Sequence, residues 1–187
     1  MRVEKLRDLV ARLHARPRRR LTLLVGVDGP TGSGKTAFTR ALVALDPGLD
    51  VVPTGDFLLP AADRRDGPDE DLVAPDLDWR RLRSSVLLPL SRDQPARYQR
   101  YDRAAGSLAE WRMVPVGGIV IVEGLYACSR PLSTFYDFRV WIDGGRPPQS
   151  PAEDAYAAAQ GPAAAAHLRV DGSGLVPHDR ALEYVRI

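Results

Sequence analysis

The stretch LTLLVGVDGPTGSGKT, Leu21 to Thr36, decides the fold. Its first seven residues, LTLLVGV (21–27), form a nearly continuous apolar run. That is the pattern of a strand buried on both faces of a parallel sheet. Residues 29–36, GPTGSGKT, fit G-x-x-x-x-G-K-[ST] in full. Phe38, Leu42 and Leu45 then recur at helical spacing, which predicts a helix over Lys35–Leu45, ended by Asp46-Pro47-Gly48. Strand, glycine-rich turn and helix in that order make a phosphate loop. Glycines let successive backbone N–H groups turn inward around an anion, and the helix N-terminus adds partial positive charge. Gly29, Pro30, Thr31, Gly32, Ser33, Gly34, Lys35 and Thr36 are therefore the expected nucleotide-binding residues. Lys35 is placed to reach the β- and γ-phosphates as a catalytic cation, and the Thr36 hydroxyl to ligate Mg²⁺.

Such a loop needs a second acidic group near the metal. Ile119-Val120-Ile121-Val122 is β-branched throughout and ends in Glu123-Gly124. A carboxylate at the C-terminal end of a central strand opens onto the ligand crevice of these sheets, so Glu123 is the second expected metal residue. Leu49–Thr54 reads as another strand. Asp56, just beyond it, is the candidate catalytic base or metal partner for a substrate hydroxyl.

Further out, Val3, Leu6, Val10 and Leu13 predict an N-terminal helix within residues 1–20, stopped by Pro17. Asp78 can cap a helix from Trp79 that Pro89 closes. Residues 60–75 and 91–116 read as irregular. Phe138–Ile142 and His167–Val170 read as strands, Ala152–Gln160 as a helix, and the tail 173–187 gives no clear pattern. Strands alternating with helices predict an α/β fold of three layers around a mainly parallel sheet, in a single domain over 1–187.

The chain has 187 residues and a net charge of +2, too small to imply a nucleic-acid partner. A single cysteine, Cys128, excludes an internal disulfide. No apolar run reaches the ~18 residues of a membrane span, and the charged, helix-patterned N-terminus does not read as a signal peptide, so the expected location is the cytoplasm. Only Lys5 and Lys35 are lysines; the other 24 basic residues are arginines.

With the segments VGVDGPTGSGKT (25–36), VVPTGDF (51–57), LDWRRLRSSVLLPL (77–90), PARYQRYD (95–102), LAEW (108–111), IVIVEGLYA (119–127), VWID (140–143), PAEDAY (151–156) and HLRVDG (167–172), the chain resembles the uridine kinase and phosphoribulokinase branch of P-loop kinases, in its high-GC bacterial form. The resemblance implies ATP, with Mg²⁺, as phosphoryl donor and a small-molecule hydroxyl, such as that of a nucleoside like uridine, as acceptor. It implies an acceptor pocket of Arg97, Tyr98, Tyr101 and Asp102. Two features depart from the family. Gly55 stands where relatives carry an acid, leaving Asp56 alone in TGDF. The arginine-rich lid is reduced to residues 144–151, with Arg146 as sole cation, so that either a second copy or a partner subunit supplies the missing arginine or the chain is no longer a fast kinase. Alternatives are an accessory nucleotide-binding protein with degenerate chemistry, and a P-loop transferase or hydrolase acting on a non-nucleoside.

Overall fold

The computed structural model describes residues 1–60, 63, 76–144 and 150–187. Residues 61–62 and 64–75 of the segment read as an irregular loop, and residues 145–149 of the lid remnant, with Arg146, lie outside the described residues.

The apolar run at 21–27 becomes strand β2 (Leu23–Asp28), buried along its whole length. It pairs in parallel with β6 (Ile119–Glu123) on one side and β7 (Phe138–Asp143) on the other. β3 (Leu49–Pro53) lies parallel outside β6, and β8 (Leu168–Asp171) lies parallel outside β7. Two strands that the sequence reading missed extend the sheet: β1 (Arg2–Lys5) and β9 (Glu183–Arg186). The full order is β1-β9-β8-β7-β2-β6-β3, with β1 and β9 antiparallel. The expected α/β fold with a mainly parallel sheet is what forms.

Side chains alternate across this sheet. Leu24, Val120 and Val122 enter one core, while Val25, Val27, Ile119 and Ile121 enter the other. On the second face lie α1 (Leu6–His14) and α2 (Lys35–Leu45), burying Leu6, Leu9, Leu13, Phe38 and Leu42. On the first face lie α3 (Trp79–Leu82), a π-helical segment (Arg83–Leu87) and α4 (Leu88–Ser91). Shorter helices α5 (Arg130–Ser133) and α6 (Pro151–Gln160) complete that side.

Three expectations need correction. Residues 2–15 are not one helix: Val3 faces Val185 in the β1–β9 ladder, and the helical stripe is Leu6, Leu9 and Leu13. Pro89 does not close its helix, which continues to Ser91; the widened π turn before it relieves the clash that a proline ring makes with the preceding turn. Asp78 does cap that helix, its carboxylate accepting the Arg81 N–H at 3.0 Å. Residues 91–116 are not irregular but hold a hairpin, β4 (Ala96–Asp102) and β5 (Ser107–Val114), forming a separate two-stranded sheet. Its register shifts between Gln99 and Tyr101, so Tyr98 and Tyr101 are both buried although three residues apart.

Candidate functional site: a phosphate loop with flanking carboxylates

The loop 29–34 leaves β2 between β7 and the start of α2. Gly29 has φ +152°, and a Cβ there would lie 2.3 Å from the Ile142 carbonyl oxygen, so only glycine lets the loop cross β7 this closely. A turn closes with the Ser33 N–H on the Pro30 carbonyl at 3.2 Å, and the Phe38 N–H starts α2 on the Gly34 carbonyl at 2.9 Å. Among the described residues, no acceptor takes the N–H groups of Gly32, Gly34, Lys35 or Thr36. These donors surround the helix N-terminus, the arrangement that holds a phosphate.

Lys35 donates from Nζ to the carbonyls of Gly29 at 2.7 Å and Pro30 at 2.8 Å. Burial pulls its ammonium pKa below the ordinary lysine value, against the upward pull of Asp28, Glu123 and Glu153. One loop cation thus stands among three carboxylates.

Glu123, buried at the end of β6, accepts from the Thr36 hydroxyl at 3.1 Å. The two residues expected to serve a metal are thereby brought together. A hydroxyl and a carboxylate are hard oxygen donors that fit Mg²⁺, whose remaining positions go to phosphate oxygens and water. Among the described residues no group of three or more His, Cys, Asp or Glu side chains is assembled that could hold a metal ion. Gly124 follows with φ +141°, and a Cβ there would stand 1.9 Å from Thr54 Oγ1.

Asp56 lies in a 3₁₀ turn (Thr54–Phe57) directly after β3, whose Pro53 pairs with Glu123, so both carboxylates leave the same edge of the sheet. Its Oδ2 accepts from the Tyr98 hydroxyl at 3.0 Å. Burial raises the Asp56 pKa above the ordinary aspartate value, and the Tyr98 hydrogen bond opposes that rise. Arg81 ties the turn to the hairpin, donating to the Asp56 carbonyl at 3.0 Å and the Gln99 carbonyl at 2.7 Å. A side chain at Gly55 would start 3.6 Å from the Arg103 guanidinium, so an arginine stands beside this position.

The four residues expected around an acceptor divide. Tyr98 joins Asp56. Tyr101 is buried. Arg97 is exposed and lies over the Trp111 ring at 4.1 Å. Asp102 accepts the N–H groups of Ala104 and Ala105 and pairs with Arg100 at 2.9 Å, which shapes the hairpin turn.

Two carboxylates went unread. Asp28 is fully buried at the end of β2 and accepts from Gly29 N, Tyr126 N, Cys128 N and the Tyr156 hydroxyl. Burial pushes its pKa up to about 6, and the hydrogen bonds from Tyr156, Cys128 and Gly29 and the charge of Lys35 restrain that rise. Its available signal was a single acid closing an otherwise apolar strand. Glu153 reaches from α6 to the loop, accepting the Thr31 N–H at 2.9 Å and the Thr31 hydroxyl at 2.8 Å.

Fold and loop together define an α/β architecture with a phosphate loop at the C-terminal edge of its parallel sheet. No family model matches the chain. Its fold is similar to that of a protein from Bacillus stearothermophilus described as a possible uridine kinase, with a TM-score of 0.71 at 21% identity, covering 88% of this chain and 96% of that one. In sequence it is 34% identical over 125 residues to inorganic pyrophosphatase TTM2 of Arabidopsis thaliana, and 24% identical over 125 residues to uridine-cytidine kinase C of Dictyostelium discoideum. Each match covers 66% of this chain, which spans only 18% and 27% of those relatives' lengths. No helix among the described residues is long and apolar enough to cross a membrane.

Proposed function

We propose that the chain is an ATP-dependent phosphotransferase that moves the terminal phosphoryl group to a hydroxyl of a small molecule, a nucleoside such as uridine being the leading acceptor. The observation that carries this reading is the meeting of Thr36 and Glu123 beside Lys35, at the mouth of a loop where the N–H groups of Gly32, Gly34, Lys35 and Thr36 have no acceptor among the described residues. The loop amides and Lys35 bind and orient the polyphosphate. Thr36 and Glu123 would hold Mg²⁺, which would supply positive charge against the charge that develops on the transferring phosphoryl group. Asp56, one strand away from Glu123, accepts the acceptor's hydroxyl proton, with Tyr98 fixing the carboxylate's orientation. A pocket beside the loop, lined by Ser33, Phe38, Asp171, His178, Arg180 and Tyr184, takes the base of the donor. Ser33 Oγ and Asp171 Oδ2 are buried there without a partner among the described residues, leaving a hydroxyl and a carboxylate oxygen for a ring nitrogen and an exocyclic amine.

A second reading, hydrolysis of a polyphosphate, is favoured by the 34% identity to a protein named as an inorganic pyrophosphatase. An acceptor panel with ATP and Mg²⁺ decides between them. Phosphorylated product that disappears in Lys35→Ala supports the kinase. Phosphate release that no acceptor changes refutes it in favour of the hydrolase, and nucleotide binding without turnover on any acceptor leaves an accessory binding protein.

A further inference from the structure

We propose that Glu153 is an electrostatic gate on the phosphate loop, which makes polyphosphate binding depend on Mg²⁺. The inference rests on the reading of this loop as a polyphosphate site. Glu153 is the third residue of α6, where Ser150 caps the helix by accepting the Glu153 N–H at 3.2 Å. Its side chain is 8% exposed. Both carboxylate oxygens are spent on Thr31, one on the backbone N–H and one on the hydroxyl. One turn further along α6, Tyr156 donates to Asp28 at 2.6 Å, and Asp28 in turn holds the Gly29 N–H at 2.7 Å. The helix therefore grips residues 28–31 at both ends and keeps a negative charge fixed against the loop.

That charge is not needed to shape the loop alone, since a neutral amide oxygen could take the Thr31 N–H. Its effect is on the sum. Lys35 is the only loop cation, and Asp28, Glu123 and Glu153 all act on it. Among the described residues, a bare polyphosphate entering the loop meets Lys35 with three carboxylates acting on it. A Mg²⁺ complex brings two positive charges and restores attraction. In a partly buried site one unit charge several ångströms away changes affinity by about tenfold.

The test titrates inorganic pyrophosphate and a non-hydrolysable ATP analogue calorimetrically, with Mg²⁺ or with EDTA. The wild type is expected to bind far more weakly in EDTA. Glu153→Gln is expected to gain about tenfold in EDTA and to change less than about threefold with Mg²⁺. Glu153→Asp, which keeps the charge, and Thr31→Val, which removes one anchor without touching the charge, are expected to keep the wild-type metal dependence. An unchanged Glu153→Gln in EDTA, or one weakened in both conditions, overturns the gate. So does a Thr31→Val that loses the metal dependence, an outcome readable even if Glu153→Gln does not fold. A wild type that binds pyrophosphate but no ATP analogue refutes the nucleotide reading alone, and the gate then stands or falls on the pyrophosphate titration. A wild type that binds neither refutes both.

Discussion

Asp28 ties the stability of the fold to pH. Its carboxyl is buried completely, and that burial lifts its pKa from 3.8 to about 6. A shift of about 2 units corresponds to ~3 kcal/mol of differential stability. The folded pKa is raised, so the contribution is fully present below the unfolded value of 3.8 and is lost as pH rises through about 6. Asp28→Asn cannot titrate. It also sets an amide N–H₂ against backbone donors that can only donate, and an orphaned buried donor costs about 1–3 kcal/mol. The variant is therefore expected to be less stable than wild type, with the gap about 2.4 kcal/mol wider near pH 4 than near pH 7. Urea unfolding across that range, followed by fluorescence of the three tryptophans, measures both stabilities. A gap that stays flat between pH 4 and 7 would refute the argument, because the carboxyl would then titrate alike in folded and unfolded chains.

Other outcomes follow from the same site. Glu123→Gln keeps the hydrogen bond from Thr36 but removes the charge, so thermal stability is expected to hold while the Mg²⁺ concentration for half-maximal turnover rises at least about tenfold, read from a metal titration. Tyr98→Phe removes the hydroxyl that holds Asp56 down; the acid limb of kcat/KM should move to higher pH, and an unmoved limb would place the base elsewhere. Asp56→Asn should lower kcat by about 10²–10⁴-fold with nucleotide affinity preserved, as single-turnover and binding measurements would show. Gly124→Ala must displace Thr54 and adopt a disfavoured φ, so a loss of about 2–4 kcal/mol in chemical denaturation is expected.

The phosphate loop was legible because it is local: a buried run, glycines at fixed offsets and an amphipathic helix all lie within Leu21–Leu45. The same holds for Ile119–Glu123, whose β-branched run ends in an acid. Non-local pairing was not legible. β1 is a strand only because β9, at the far end of the chain, supplies its partner, and the apolar spacing of Val3 and Leu6 fits a helix equally well. The hairpin at 96–114 escaped because its register shift at Gln99 breaks the two-residue alternation that marks a strand. Asp28 and Glu153 were hidden for a related reason. Their roles arise where residues 124–128, α6 and the loop converge, and no spacing in the sequence announces that meeting.

The seam between β1 and β9 also sets how the fold answers to force. Arg2 pairs with Arg186 and Lys5 with Glu183, so the two ends of the chain leave the sheet side by side. Tension applied between them would peel this ladder like a zipper, one rung at a time. The parallel strands β2, β6 and β7 would carry load only after that peeling had finished. Pulled in an optical trap, the molecule should yield its edge at low force while the phosphate loop keeps its shape, and bound nucleotide should raise only the second, larger rupture.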